Sequence, residues 1–325
     1  MKRRSFISLS ILLAVSFIFT ACSPAAIQTA AAPSSPVKIR IAALPIIDAL
    51  PFYAAQKDNL FAKHNIEVEF VAAASAAERD QLIAAGQADA MINDLVSVAL
   101  YNRDQVQVQV VRFAAVPDAS TPMFRVLAAK NSGIQTPADL AGVPIGLSQG
   151  TVIEYVTSRL LEKEGLSADQ ITSIAVPKLS ERMALLESGE LKAATLPEPF
   201  GTMALQNGAV LIVDNAKYTE YGSSVITFRK AFIDQNPEAV RGFLQAVEEA
   251  SNAINQDSEK YRPLLSEYKL VPGAVAESYP IPKFPAASWP TQAQFDDAVA
   301  WAKSRSLITR DVKYADSVTS AFLPK

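Results

Sequence analysis

Residues 37–70 read VKIRIAALPIIDALPFYAAQKDNLFAKHNIEVEF. Val37, Ile39 and Ile41 alternate with Lys38 and Arg40, the period-2 pattern of a strand. A loop with Pro45, Asp48 and Pro51 follows. Phe52 to Lys63 then reads as a short helix, and Ile66, Val68 and Phe70 alternate again as a second strand. Strand, helix and strand within this span make one βαβ unit, hence a parallel pair with a right-handed crossover. In such a sheet the open crevice lies beyond the carboxyl ends of the strands. Loop 44–53 sits there and carries Asp48, Phe52 and Tyr53.

Working outward towards the start, residues 1–21 read as an export signal. Lys2, Arg3 and Arg4 form a basic head, and Phe6 to Phe19 an apolar run too short for a spanning helix. Phe19-Thr20-Ala21-Cys22 resembles a bacterial lipoprotein box, which implies lipidation of Cys22 and a membrane anchor. Cys22 is the only cysteine in the chain, so it has no disulfide partner. Residues 22–36 are small, polar or Pro-containing and read as a tether.

Composition narrows the field. The formal charge of the 325 residues is −3; the signal holds three of the 30 basic residues and none of the 33 acidic ones, so the mature part is more acidic still. An acidic exported protein suits neither nucleic acid nor an anionic membrane surface. With one His and one Cys, a metal site built on several of either is excluded within this chain, and no cofactor is expected. No second apolar stretch reaches spanning length.

The rest of the first lobe follows the same logic. A helix is expected over 76–85, with Glu78, Arg79 and Asp80 outward and Gly86 as its cap. Residues 88–93 form a short strand, Asp94 an N-cap, 95–102 a helix, and 106–113 another strand. Three strand ends thereby deliver Asp48, Asn93, Asp94 and Phe113 to one edge. Met123 to Ala129 reads as the strand leaving this lobe.

In the second lobe Thr136-Pro137 opens a helical turn. Residues 143–147 form a strand, and Ser148-Gln149-Gly150-Thr151 leads into a helix from Val152 to Glu164 that carries Tyr155. A Gly-containing strand-to-helix turn offers free N–H groups to an anion, a carbonyl or a hydroxyl. The Lys-Ser/Thr pair of a P-loop is missing, which argues against nucleotide phosphate. Strand 173–176, helix 180–188 and strand 192–196 lead to Pro197-Glu198-Pro199-Phe200, where two prolines constrain the backbone around Glu198. Helix 201–207, strand 208–213 and the returning strand 223–228, just past Tyr221, complete the lobe. The tail, 229–325, reads as helical apart from a Pro-rich strap at 279–285. It is expected to pack on the first lobe, with Trp289 and Trp301 as packing residues and His64 solvated.

The domain reading is therefore a signal (1–21), a tether (22–36), lobe I (37–124 and 226–325) and lobe II (125–225), in an α/β, two-lobed architecture with two interlobe hinge strands. The ordered set Pro51-Phe52-Tyr53, Asn59-Leu60-Phe61, Ile66-Glu67-Val68, Gly86…Asp89, Asp139-Leu140…Gly142…Ile145-Gly146, Gly189-Glu190…Ala193-Ala194, Glu198-Pro199 and Asn236-Pro237 resembles the solute-binding proteins of ATP-driven (ABC) importers. The subgroup is the one for thiamine pyrimidine precursors, sulfonates, nitrate and riboflavin. The resemblance implies a periplasmic-binding-protein-like fold of type II, a solute in the cleft, no catalysis, and partners in a separately encoded permease and ATPase; a monomer is expected.

The candidate contacts are Asp48, Phe52, Tyr53, Asn93, Asp94, Phe113, Ser148, Gln149, Gly150, Thr151, Tyr155, Glu198, Phe200 and Tyr221, with Ser223 and Ser224 nearby and Arg125 as the nearest cation. Acids, amides and aromatics fit a flat neutral or cationic heterocycle better than a sulfonate or nitrate. Riboflavin is the leading expectation and an aminopyrimidine thiamine precursor the next. Two rivals from other classes are an iron-dependent pyrimidine synthase and a receptor module for a sensor kinase.

Overall fold

The computed structural model describes residues 35–73 and 75–324; the signal, Cys22 and nearly all of the tether lie outside the described residues. β1 (Val37–Ala43) and β2 (Ile66–Ala72) pair in parallel, from Val37 opposite Ile66 to Ala43 opposite Ala72. The connection is not the single helix expected. It is a 3-10 turn at Ile47–Ala49, then α1 (Leu50–Lys57) and α2 (Leu60–Lys63). Asn59 breaks the helix in two at φ 56°, a left-handed conformation that asparagine tolerates better than most residues.

α3 (Ala76–Ala84), β3 (Ala90–Asn93), α4 (Leu95–Tyr101) and β4 (Val108–Ala115) follow. The chain then builds a second sheet from β5 (Phe124–Ala128), β6 (Ile145–Leu147), α5 (Val152–Lys163), β7 (Ser173–Ala175), α6 (Leu179–Ser188), β8 (Ala193–Pro197), α7 (Phe200–Gln206) and β9 (Val210–Asp214). β10 (Ser224–Arg229) returns to the first sheet. The orders are β2-β1-β3-β10-β4 and β7-β6-β8-β5-β9. Each sheet thus carries one antiparallel strand, β10 in the first and β5 in the second. The crossings themselves are not strands, as expected from the sequence, but the irregular segments 116–123 and 215–223. Asp118 folds the first crossing back by accepting from the N–H groups of Ser120 and Thr121.

The tail supplies α8 (Lys230–Gln235), α9 (Pro237–Gln256), α10 (Pro263–Glu267), α11 (Gln292–Ser304) and α12 (Tyr314–Ser317). α9 buries Val240, Phe243, Leu244 and Val247 at helical spacing against one face of the first sheet. α11 covers the other side with Phe295, Val299 and Trp301. The core beneath α11 runs from Met91 and Val225 of the first sheet to Val126, Ile145 and Val156 of the second lobe. Trp289, expected to pack, stays 44% exposed just beyond the strap. His64 is not simply solvated: its Nε2 lies 2.8 Å from Glu249 on α9.

Asp89, just before β3, ties the first sheet together. It accepts from Arg40 on β1 at 2.7 and 2.9 Å and from Arg229 on β10 at 2.7 Å, and only 4% of its side chain is exposed. Burial alone would raise this carboxyl, but the two guanidiniums and the Arg40 N–H outweigh it and hold it below the usual range.

Candidate functional site

A cavity of about 150 Å³ opens where the two sheets meet. Its floor is the turn after β1 (Ile46, Ile47, Asp48), the end of β3 (Asn93, Asp94) and the end of β4 (Ala115). The outgoing crossing contributes Pro122 and Met123, the second sheet and its helix Phe124, Val152, Pro197 and Glu198, and the returning crossing Gly222 and Ser223. Tyr279, Pro282 and Lys283 of the strap close it from above. The βαβ rule thus locates the cavity correctly: parallel strands end there, and both crossings run beside it.

Asp48 sits in the turn that starts α1, deep below the surface but with part of its surface open to the cavity. Burial pushes its carboxyl up; the nearby Ser224 hydroxyl offsets part of this without a well-formed hydrogen bond. Asp94 caps α4, accepting from Ser97 N–H at 2.8 Å; burial pushes it up too, against the pull of Arg79. Asn93 is spent on the fold: its Oδ1 accepts from Thr227 and its Nδ2 reaches Ser97. Glu198 pairs with Arg125 at 2.5 Å and accepts from the Thr202 N–H at 3.2 Å, while Arg125 also reaches Asp214 at 3.2 Å. Gly201 makes room for this pair: a Cβ there would lie 2.9 Å from Arg125 Cδ and 3.0 Å from Glu198 Oε1.

The remaining candidates do not line this cavity. Phe52 is 1% exposed, its ring edge-on to Phe243 at 5.4 Å, because α1 turns that face into the core. Tyr53 stacks on Tyr268 at 3.9 Å and against Phe70. Phe113 is buried in the core shared by both lobes. The 148–151 turn spends its polar groups on itself and its neighbours. The Gly150 N–H donates to Glu154, Thr151 caps Ile153, Ser148 accepts from Arg182, and Gln149 reaches Ser173. Glu154 therefore occupies the anion site that the turn was expected to offer. Tyr155 donates to Asp297 and meets Tyr221 edge-on at 6.0 Å, while Phe200 packs on the second lobe's own core.

The structure adds residues that the sequence reading left out. Arg79, expected outward, is 6% exposed and faces the cavity, bonded to Asp80 and the Ile92 carbonyl. Its long stem carries the charge under the end of β3. Tyr279 lies on the strap that read as surface, yet it is 4% exposed, and burial together with Glu198 and Asp48 pushes its phenol well up. Nothing in the local pattern around Tyr279 marks it. Ser223 and Ser224, which the sequence reading already placed nearby, are each 8% exposed, and their hydroxyls make no well-formed hydrogen bond among the described residues.

The model of the NMT1/THI5-like family matches residues 47–260, which spans Asp48, Asn93, Asp94 and Glu198. The chain belongs to this family. The putative aliphatic sulfonates-binding protein of Escherichia coli (strain K12) is 26% identical over 155 residues, 47% of this chain. The match spans 48%, about half, of that curated relative. Among solved structures, the periplasmic aliphatic sulphonate-binding protein of Escherichia coli superposes with a TM-score of 0.75 at 19% identity, covering 90% of this chain and 94% of that one. The desulfurization enzyme DSZB superposes at 0.64 with 16% identity, over 88% and 97%. At these identities the likeness is one of fold: the two-lobed periplasmic-binding-protein fold, type II.

Proposed function

We propose that this family member is the extracytoplasmic solute-binding subunit of an ABC importer, anchored through a lipid on Cys22 and delivering a small solute to a permease and ATPase. Residues 37–115 with 224–325 act as one jaw and 124–214 as the other, hinged at 116–123 and 215–223, which shifts the boundaries expected at 124/125 and 225/226 to the starts of β5 and β10. The observation that carries this reading is one cavity between two sheets, lined by Asp48, Asp94, Glu198 and the unpartnered hydroxyls of Ser223 and Ser224. Such a lining suits a solute rich in hydrogen-bond donors.

Size refines the expectation. A cavity of roughly 150 Å³ takes a single benzene-sized ring, well short of a tricyclic flavin with a polyol chain. A single-ring solute of the aminopyrimidine kind therefore moves ahead of riboflavin. A sulfonate is the second reading. It is favoured by the names of the relatives and by Arg79 and Lys283 in the same lining. The enzyme rival draws on DSZB, which shares the fold; His64 lies at the end of α2 against α9 and not in the cavity lining.

Isothermal titration of the mature chain with an aminopyrimidine, riboflavin and an alkanesulfonate tests the reading, alongside mass spectrometry of solute retained through native purification. Heat with the aminopyrimidine and none with riboflavin is expected. Conversion of any of these to product would replace the importer reading by an enzymatic one.

A further inference from the structure

We propose that Asp48 is the counter-ion for a positively charged nitrogen, so that the cavity accepts organic cations in preference to neutral or anionic solutes of the same shape. This rests on the reading of the cavity as the solute site and adds the solute's charge.

The three lining carboxylates are not equivalent. Glu198 is neutralised by Arg125. Asp94 spends one oxygen on the Ser97 N–H and feels Arg79, which is itself paired with Asp80. Asp48 has no Lys, Arg or His within ion-pair distance among the described residues. The groups that share the cavity with it are Ser224 from β10, Tyr279 and the exposed Lys283 from the strap, Glu198 with Arg125 behind it from the second lobe, and Asp94 with Arg79 from the first.

A recessed carboxylate without a cation is costly, because burial strips its water and the Ser224 hydroxyl and a backbone N–H only partly replace it. The same loss of water pushes the Asp48 carboxyl above its usual range. A solute ammonium or protonated ring nitrogen supplies the missing charge. Its remaining N–H groups find acceptors in the buried, unpartnered hydroxyls of Ser223 and Ser224. An anion in the same place would face the uncompensated Asp48.

The test uses three single-ring probes of matched size: benzylammonium, benzyl alcohol and phenylmethanesulfonate. They are titrated calorimetrically into the mature wild-type chain, Asp48→Asn and Ser223→Phe. The wild type is expected to bind them in that order. Asp48→Asn, which keeps size and polarity, loses about 100-fold for benzylammonium, as befits a hydrogen bond to a charged group, and stays within a few-fold for benzyl alcohol.

Benzylammonium keeps its charge throughout the acid range, so its wild-type affinity falls as pH drops and Asp48, raised by burial, takes up its proton; the fall is weaker in Asp48→Asn, where Asp94 is the remaining raised acid of the lining. Equal or tighter binding of the sulfonate by the wild type, no discrimination among the probes, or full ammonium affinity in Asp48→Asn overturns the proposal. Unchanged binding of all three by Ser223→Phe, whose ring fills the cavity, overturns instead the assignment of the cavity as the site.

Discussion

The phenol of Tyr155 donates to Asp297 at 2.7 Å, a contact that joins α5 of the second lobe to α11 of the tail. Arg159, one turn further along α5, reaches the same carboxylate oxygen at 2.8 Å, and Trp301 meets the Tyr155 ring edge-on at 5.5 Å. α5 also starts at the cavity, where Val152 lines the wall. Burial and the neighbouring carboxylate together push the phenol far above its usual range, so it stays a donor at any working pH. Asp297→Ala leaves a buried phenol without an acceptor and a half-buried guanidinium with Glu162 alone. The loss is about 2 kcal/mol, most of it from the phenol, since the Asp297 carboxylate is 35% exposed and its ion pair is screened. Urea unfolding measures it, and an unchanged midpoint would show that the lobes do not lean on this contact.

Acid should loosen the first sheet through Asp89. Its carboxyl is held below its unfolded value of about 3.9 by Arg40 and Arg229. A depressed native pKa contributes stability that is present in full above the unfolded value and lost as pH falls through the native one. Asp89→Asn removes the charge at every pH, leaving two guanidiniums partly unpaired, and should cost about 3 kcal/mol at pH 7. The acid limb of a stability–pH curve should be shallower in the variant; parallel curves would assign the acid sensitivity elsewhere.

Two glycines of similar φ separate backbone strain from crowding. Gly222 has φ +86°, and a Cβ there would lie 2.8 Å from Asn215 Nδ2, 2.9 Å from Phe124 and 3.0 Å from Val156. Gly133 has φ +79° with nothing within 4 Å. Gly133→Ala should cost about 1 kcal/mol, the strain of a left-handed alanine. Gly222→Ala adds overpacking and should lose about 3 kcal/mol in all. Thermal unfolding of the pair decides it; equal losses would mean that the returning crossing gives way.

Glu198→Gln should strand Arg125 with Asp214 alone. The Glu198 side chain is 8% exposed, so the loss is that of a buried pair with one member removed, about 3 kcal/mol. The pairing also leaves Asp48 as the unneutralised lining acid, so the variant's preference among charged solutes should change little while its stability falls. Denaturation and titration on the same preparation separate the two.

Much of the fold was legible because it is written in short-range pattern. The alternation at Val37–Ile41 and Ile66–Phe70, the cap at Asp94 and the apolar stripe of α9 each follow from a local rule. The same rules placed Asp48, Asn93, Asp94 and Glu198 at strand ends, and the structure brings them to one cavity. Local rules failed where a side chain's direction depends on what packs against it. Phe52 and Tyr53 follow Asp48 by a few residues, but helix geometry turns them towards Phe243 and Tyr268. Arg79 read as a solvated helix face until the end of β3 was laid over it.

The sequence by itself determined the strand and helix periods, the crossovers and the acidic character of the strand ends, because these depend on neighbours a few residues away. Only the tertiary structure decided which acid keeps an uncompensated charge, and that Tyr279 of a distant strap roofs the cavity. Pairing and burial are set by residues tens to hundreds of positions apart, and no local period encodes which of them will meet.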